Sequence, residues 1–466
     1  MKLRKQYPFL LISLNSISVT LVSGFTKIVA NNLSHRLYNV FDNELHAKPK
    51  RLEDNAEGVL YVNDKVRMLQ SKSQFQLALV AQKVPFLTFK KCINCAACSY
   101  FAPTTFDRSS VTSHHIVSKQ PALDSSDLLQ ARAALAACPV SAIRTLTSAE
   151  LSHRTRGKER LSSEQEELAK HLAINTKTNG LPLPFPKPLI PLESKVTEEE
   201  MRHHLGVWLV GHHSEKTFGA MPYFLKGQNS DGRLVSVMVD VPKCSPSAIR
   251  AIQSLLPIDS NGPDYLFMTH VDDTAGHGDW KKVFPNLKRI MHNGDLGKHN
   301  WVGDETLNDI EVLLNGKSET NKRKLAGWTL DGVPIQICCQ DEDDVHIPDV
   351  GGHFGDFLIL HTPGHSPGSA SLLHRNAAME KTILFTGDTF AYTTRDGGHM
   401  SGFPAYGNDL SCQVESLRCL LNLRSQWDFI ACGHGHPRSY SCGELGDNQK
   451  ILDVEDAVKE LEEYQT

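Results

Sequence analysis

Two residues separate each of three successive cysteines, Cys92, Cys95 and Cys98. A fourth cysteine, Cys138, lies forty residues further along the chain and immediately precedes Pro139. Thiolates with this spacing can turn a loop around an iron–sulfur cluster, and a distant fourth cysteine closes the site. A zinc knuckle or disulfides would use the same residue type. Zinc sites more often come as two C-x-x-C pairs, however, and three cysteines this close together are awkward to pair with one partner. The spacing therefore favours one 4Fe–4S cluster over the other two kinds of site.

A second group of metal-type side chains follows apolar segments that we expect to be strands. His270 follows YLFMT, His365 comes shortly after FLIL, Asp388 follows TILFTG, and His434 follows FIACG. Ligands gather at the C-terminal ends of strands in open α/β sheets, so these side chains are expected to converge. Neutral imidazole and carboxylate together suit zinc or iron. The remaining cysteines show no ligand spacing and are expected to be buried free thiols in a reducing compartment: Cys244, Cys338, Cys339, Cys412, Cys419, Cys432 and Cys442.

The cysteine segment resembles a single-cluster bacterial-type ferredoxin domain. The matching stretches are CINCAACSYFAPTTFD and AALAACPVSAI, within residues 85–147. The resemblance implies a small α+β domain with one 4Fe–4S cluster, held by Cys92, Cys95, Cys98 and Cys138.

The histidine-containing segment resembles the metallo-β-lactamase superfamily over residues 207–440. The motifs that carry the resemblance are THVDDTAGHGDW, HTPGHSPGS, FTGDT and CGHGHPRS. It implies an α/β fold, an αββα sandwich of two facing sheets, with one or two zinc or iron ions at one edge. It also implies that His365, a bridging Asp388 and His434 are ligands.

The first of these motifs departs from the family pattern His-x-His-x-Asp-His. His270 matches the first histidine, but Asp272 stands where the second belongs. The resemblance implies a first metal held by His270, Asp272 and His365 and bridged through Asp388. A second metal would have His277, His434 and Asp388, with Asp273 as a further ligand or as a base. Four nearby histidines are expected to orient ligands or to lie on the surface: His353, His361, His399 and His436.

Two folded units are expected along the chain. Residues 1–45 are expected to be a targeting leader, 46–84 a linker, 85–147 the cluster domain and 207–440 the sandwich. Residues 148–206 are expected to connect the two units. In this connector Ser163 and Glu166 are expected to form a capping box, and the stretch LPLPFPKPLIP is expected to be an extended spacer. The last segment, 441–466, is expected to be an acidic amphipathic helix.

The leader has a basic start, an apolar stretch from Phe9 to about Val22, and then the small residues Ser23 and Gly24. This order is typical of a signal peptide, and the apolar stretch is too short and too polar for a stable membrane span. The acid-poor segment that follows, with Phe25 after the small residues, resembles the bipartite leader of plastid proteins in algae with secondary plastids. We therefore expect a plastid location; a secretory or mitochondrial signal is the alternative.

The charge balance limits the function classes. The 466 residues carry 49 basic and 53 acidic side chains, a formal net charge of −4, which excludes a strongly basic nucleic-acid binder. The first hypothesis is a metal-dependent hydrolase, in which Asp272 or Asp273 orients a metal-bound water that attacks an ester, thioester or phosphoester of a small molecule. One alternative is an iron-dependent oxidoreductase fed by the 4Fe–4S domain, which implies an electron-transfer partner. Another is a non-catalytic redox-sensing protein.

Overall fold

The computed structural model describes residues 60–62, 92–110, 114–123, 125–146, 160–172, 181–190, 206–339, 354–375 and 381–466. The expected leader lies outside the described residues, so the plastid location stays a prediction. No helix in the described part of the chain is long and apolar enough to cross a membrane.

The cysteine-containing unit combines two short antiparallel strand pairs with two helices. Its elements are β1 (Leu60–Val62), α1 (Ala97–Phe101), β2 (Phe106–Arg108), β3 (His115–Val117), α2 (Ser126–Ala137) and β4 (Ile143–Thr145). β1 pairs with β4, and β2 pairs with β3. The alanine-rich helix α2 ends at Ala137 because Pro139 cannot continue it. Segment 46–84, expected to be a linker, therefore contributes a strand to this unit.

The connector also packs more closely than its sequence suggested. Helix α3 (Ser163–Leu172) starts with a capping box one residue earlier than expected: the Ser162 hydroxyl accepts from Gln165 N, and the Gln165 side chain accepts from Ser162 N. The proline-rich stretch is not a free spacer. It supplies β5 (Lys187–Pro188), which pairs with the next strand, and Phe185 beside it is buried. Proline is compatible with this position because β5 is an edge strand.

The first large sheet, in the described part of the chain, has seven strands in sequential order. They are β5, β6 (Gly206–Leu209), β7 (Tyr223–Gln228), β8 (Leu234–Val239), β9 (Tyr265–Phe267), β10 (Lys288–His292) and β11 (Val312–Leu314). Strands β5 to β8 are antiparallel, and β8 to β11 are parallel. The parallel half is rich in Val, Leu, Ile and Phe, as expected for strands that are covered on both faces.

The second large sheet also has seven strands among the described residues, in the order β13-β12-β14-β15-β16-β19-β20. They are β12 (Lys324–Trp328), β13 (Pro334–Cys338), β14 (Phe357–His361), β15 (Ala370–His374), β16 (Ile383–Gly387), β19 (Phe429–Cys432) and β20 (Arg438–Ser439). Between β16 and β19 the chain forms a hairpin of β17 (Ala391–Thr393) and β18 (His399–Ser401). Only the β16–β19 pair is parallel in the described part of this sheet.

Helices cover the outer faces of the two sheets. The inner faces share one apolar core that includes Val237 and Phe267 of the first sheet and Ile359 and Phe385 of the second. Helices α4 (Pro246–Gln253) and α5 (His277–Val283) pack on the first sheet, and α6 (Leu410–Asn422) and α7 (Glu444–Gln465) pack on the second. This helix–sheet–sheet–helix order confirms the expected αββα sandwich. The acidic C-terminal helix is also present, and its residues Val454 and Leu461 are buried against the second sheet.

Candidate metal centre and cluster site

The four cysteines of the first unit line a single cavity together with Val62 and Ile143. The loop before α1 turns around this cavity because Asn94 and Ala96 adopt left-handed conformations, with φ of 64° and 61°. Burial, together with the neighbouring thiols, raises the pKa of Cys95 to about 12 and also raises those of Cys98 and Cys138. Buried thiolates this close together require positive charge to stabilise them. The iron of a 4Fe–4S cluster supplies that charge, so the cavity fits the expected group.

His270, Asp272, His365 and Asp388 converge at the edge of the sandwich. His270 follows β9, the loop after β14 carries His365, and Asp388 follows β16 directly. Asp272 Oδ2 lies 3.8 Å from His270 Nε2 and 3.7 Å from His365 Nε2. Asp388 Oδ2 lies 3.8 Å from the same atom of each imidazole. Neighbouring ligands of a four-coordinate zinc are separated by roughly 3.4 Å, so these atoms surround a space that one ion fills with little movement.

A second set of three ligand atoms shares Asp388 with the first. It consists of Asp273, Asp388 and His434, and one donor atom from each lies within 4.8 Å of the others. His434 comes directly after β19 and Gly433, and its Nδ1 is 2.8 Å from each Asp388 oxygen. A side chain at position 433 would collide with both carboxylates, because its Cβ would lie 2.8 Å from Asp388 Oδ1 and 3.0 Å from Asp273 Oδ2. The glycine therefore allows the two carboxylates and His434 to approach closely.

Several buried polar atoms at this edge have no hydrogen-bond partner among the described residues. They include His270 Nε2, His365 Nε2 and both carboxylate oxygens of Asp273. Unpaired buried polar atoms are costly, and here they belong to the residue types that bind transition metals. Thr269 orients one of them: its hydroxyl lies 3.0 Å from His270 Nδ1 and donates to Asp240 Oδ1 at 2.9 Å. These hydrogen bonds occupy Nδ1 of His270 and leave the lone pair of its Nε2 atom for a metal. The residues therefore fit one or two ions.

The expectation that His277 is a ligand is wrong. Its Nε2 lies 3.2 Å from Asp304 Oδ2 and 3.1 Å from the Thr306 hydroxyl, and its Nδ1 lies 3.0 Å from Arg289 Nη1. Both ring nitrogens are therefore engaged away from the metal ligands. The reason is local: Gly276, with φ of 99°, starts helix α5 and places His277 in the first turn, against β10. Asp273 stands with Asp388 and His434 in its place.

The electrostatic environment keeps most of these groups in the form that a metal needs. Burial lowers the pKa of His270 to about 4, so its imidazole is neutral at physiological pH. Burial alone would raise the pKa of Asp388, but His434, His270 and His365 hold it below its usual value. Asp273 is different, because burial and the nearby Asp240 and Asp388 carboxylates raise its pKa well above normal. Three crowded carboxylates of this kind call for a cation between them.

Asp295 is a residue of the site that the sequence reasoning missed. Its Oδ2 accepts from Val271 N at 2.9 Å and from the Ser366 hydroxyl at 2.8 Å, and its Oδ1 accepts from Gly368 N at 2.6 Å. Val271 follows His270, and Ser366 follows His365, so one buried carboxylate ties both ligand loops together. The available signal was its position in an Asn-Gly-Asp turn immediately after strand β10.

A tryptophan lies beside the ligand set on the solvent side. The indole N–H of Trp301 donates to Asp272 Oδ1, and the Trp301 side chain remains 46% exposed. Burial alone would raise the pKa of Asp272, but the nearby His365 and His270 imidazoles and the hydrogen bond from Trp301 hold it below its usual value. Asp272 is therefore ionised and held by its neighbours from both sides.

The comparisons with known proteins identify the first unit. The 4Fe-4S single cluster domain of Ferredoxin I matches residues 89–145. Residues 89–145 form a single-cluster ferredoxin domain. The four cysteines expected to hold the cluster lie in the matched segment and line the shared cavity described above: Cys92, Cys95, Cys98 and Cys138.

Solved structures similar to the larger unit share little sequence with it. A metallo-β-lactamase superfamily protein from the archaeon Sulfolobus tokodaii is 19% identical, with 52% of this chain and 93% of that chain covered and a TM-score of 0.27. A quorum-quenching N-acyl homoserine lactone hydrolase is 17% identical, with 46% and 79% covered and a TM-score of 0.30. Diflavin flavoprotein A 5 from Nostoc sp. PCC 7120 is 12% identical, with 56% and 84% covered and a TM-score of 0.31. No curated protein sequence matches this one.

The ferredoxin domain touches the loop that carries His434. His436 Nε2 lies 3.2 Å from the carbonyl oxygen of Ala96 and 3.4 Å from the Ser99 hydroxyl, and its ring lies against Tyr100. Ala96 and Ser99 flank the cluster ligand Cys98. His436 therefore joins the cluster loop to the ligand loop, and it does so as a packed residue at the interface of the two units.

The other three histidines expected near the ligands have different surroundings. His361 stacks on His292 at 4.0 Å between ring centroids and lies 3.0 Å from the Pro367 carbonyl through Nε2. It thereby supports the loop of His365. His399 lies 3.5 Å from Glu460 of α7, and His353 lies outside the described residues.

Proposed function

We propose that the protein is an oxidoreductase in which the ferredoxin domain exchanges electrons with iron held at the edge of the sandwich. The observation that carries this proposal is the direct contact between the cluster loop and the ligand loop, made by His436 with Ala96 and Ser99. Hydrolysis transfers no electrons, so it does not require contact between an electron carrier and the metal ligands. Electron transfer from the cluster to a second metal does require the two to lie close together.

The residues at the sandwich edge would hold the iron. His270, Asp272, His365 and Asp388 supply one ligand set, and Asp273, Asp388 and His434 supply the other. Mixed imidazole and carboxylate ligands suit iron that changes between its ferric and ferrous forms by one electron. A bound cluster would supply that electron, and an external one-electron donor, such as a low-potential carrier protein, would restore the reduced cluster. The iron would pass the electron to a small-molecule substrate.

One observation favours a second function, metal-dependent hydrolysis. Both oxygens of the buried Asp273 carboxylate lack hydrogen-bond partners within the described residues, and its pKa is raised. A carboxylate in that state beside a metal ion can orient a water molecule and take its proton. Esters, thioesters and phosphoesters are then the substrate classes.

Metal analysis combined with electron paramagnetic resonance separates the two functions. Full-length protein is purified anaerobically, reduced with dithionite and frozen at intervals. We expect iron beyond the four atoms of the cluster, and a cluster signal that decays as the additional iron is reduced. The matched control is Cys95→Ser, which should lose the cluster and leave the additional iron oxidised. Zinc in place of the additional iron, with hydrolysis of a thioester at an equal rate in the control, would overturn the oxidoreductase proposal in favour of the hydrolase.

A further inference from the structure

One short segment of the sandwich touches both metal-binding regions. The segment runs from His213 to Met221, between β6 and β7, and we call it the bridging segment. On one side its Gly219 packs on the ferredoxin domain: a Cβ at this position would lie 3.0 Å from Cys95 Cβ, 3.3 Å from Cys95 Sγ and 3.1 Å from Pro139 Cγ. The segment thus reaches a cluster ligand directly.

On its other side the bridging segment holds the loop that carries His434. Met221 N donates to the Gly433 carbonyl at 2.7 Å. Burial would lower the pKa of His434, but Asp388 raises it above its usual value, and the Phe218 carbonyl of the segment adds to this effect. Tyr223, two residues further, donates its hydroxyl to the Cys432 carbonyl at 2.8 Å. Three successive residues of the ligand loop, 432–434, are therefore in contact with the segment or with the start of β7.

His213 determines the shape of the segment. Its Nδ1 lies 2.9 Å from the Gly219 carbonyl oxygen, to which it donates, and Gly219 N donates to the Ser214 carbonyl at 2.8 Å. Gly219 has a φ of 91°, which other residue types rarely adopt. The hydrogen bond from His213 and the glycine backbone conformation therefore both determine the path of the segment. The imidazole fixes the position of Gly219 against Cys95.

The rest of the His213 imidazole is buried and incompletely satisfied. Its Nε2 has no hydrogen-bond partner among the described residues, and its ring packs edge-on to Phe101 of α1 at 6.0 Å between centroids. Burial lowers its pKa to about 4, and the nearby His434 imidazole acts in the same direction. The His213 imidazole thus contacts Gly219, which lies against Cys95, and its second ring nitrogen is unpaired within the described part of the chain.

We propose that the bridging segment is the electron path between the two metal-binding regions, and that His213 is its positioning residue. His213 holds Gly219 against Cys95 and thereby sets the separation between the cluster and His434. The step is the transfer of one electron from the reduced cluster to ferric iron, with no proton or leaving group involved. This inference rests on the proposed oxidoreductase function and adds the route by which the electron travels.

The test compares His213→Leu with His213→Gln in the full-length protein. Leucine removes the hydrogen bond to Gly219, whereas the glutamine amide can donate to the same carbonyl. His212→Asn is the matched control, because the neighbouring imidazole is lost at a left-handed position, φ 54°, that asparagine tolerates. Three quantities are measured for each protein: the iron and sulfide content, the midpoint potential of the cluster, and the rate at which the reduced cluster loses its electron.

We expect His213→Leu to keep its metal content and to transfer the electron at least tenfold more slowly, with a shifted cluster potential. His213→Gln should recover most of the rate, and His212→Asn should behave as the wild type. A wild-type rate and potential in His213→Leu would overturn the role of His213 and leave the proposed function standing. If the wild type itself transfers no electron, the proposed function fails. If leucine prevents folding, His213→Ala takes its place. A slow rate in a folded His213→Ala supports the inference, and a wild-type rate and potential in that variant contradict it.

Discussion

Asp388 holds His434 with both of its carboxylate oxygens, each 2.8 Å from the Nδ1 atom of the imidazole. The same carboxylate also lies 3.8 Å from His270 and His365. It is therefore the one residue that the two ligand sets share within the described part of the chain. This position gives it a larger influence on metal binding than any other single ligand.

Asp388→Asn should abolish binding at both sets. The amide has nearly the same shape but carries no charge, so the three imidazoles lose the anion that they share. We expect the affinity for metal to fall by more than the roughly 10–100-fold that is typical of losing an outer hydrogen bond. Metal content after dialysis against a chelator measures this. Asp279→Asn, on the exposed surface of α5, is the control, and retention of metal by Asp388→Asn would contradict the assignment of Asp388 as the shared ligand.

His277→Asn tests the corrected ligand set. Because the His277 nitrogens contact Asp304, Thr306 and Arg289, we expect its replacement to lower the free energy of unfolding by about 1–3 kcal/mol and to leave the metal content unchanged. Asp273→Asn should do the reverse and reduce metal content at the set that contains His434. Denaturant unfolding and metal analysis of both variants distinguish the two residues, and loss of metal in His277→Asn would restore the original expectation.

The sequence predicted the strands and the convergence of four expected ligand residues for one physical reason. Each of these residues follows an apolar strand: His270, His365, Asp388 and His434. Because the strands are buried in the sheets, their C-terminal ends lie at one edge of the sandwich, and the residues that follow them lie there too. The loop between His270 and His277 has no such constraint. Its 3₁₀ turn and the positive φ of Gly276 decide which side chain points inward, and neither follows from residue types alone.

The contact between the two units was also beyond prediction from the sequence. It joins Ala96 and Ser99 to His436, which are separated by more than three hundred residues, and Gly219 to Cys95. None of these residues is unusual in its own segment. The proline-rich stretch was expected to be a spacer, which would leave the two units independent. In the structure its strand β5 instead pairs with β6 and makes the connector part of the first sheet.

Asp295→Asn should weaken metal binding without removing a ligand. Its carboxylate accepts hydrogen bonds from the loops of both His270 and His365, and an amide group there would place a donor against a donor. We expect metal affinity to fall by about 10–100-fold, measured by competition with a chromophoric chelator. Asp331→Asn is a suitable control, because this carboxylate also accepts hydrogen bonds, from Tyr265 and Lys288, at the opposite ends of β9 and β10. Equal effects of the two substitutions would show that Asp295 acts only on general stability.

Gly219→Ala should disturb the cluster rather than the fold as a whole. The new methyl group would lie 3.0 Å from Cys95 Cβ and 3.1 Å from Pro139 Cγ, at a backbone φ of 91° that alanine rarely adopts. Gly232→Ala is the matched control, because its φ of 72° imposes a similar backbone cost while no atom lies within 4 Å of the added methyl group. We expect both variants to lose about 1 kcal/mol or more of stability through backbone strain. Only Gly219→Ala should change the visible absorption and the electron paramagnetic resonance signal of the cluster. Identical spectra in the two variants would mean that Gly219 does not touch the cluster ligand in solution.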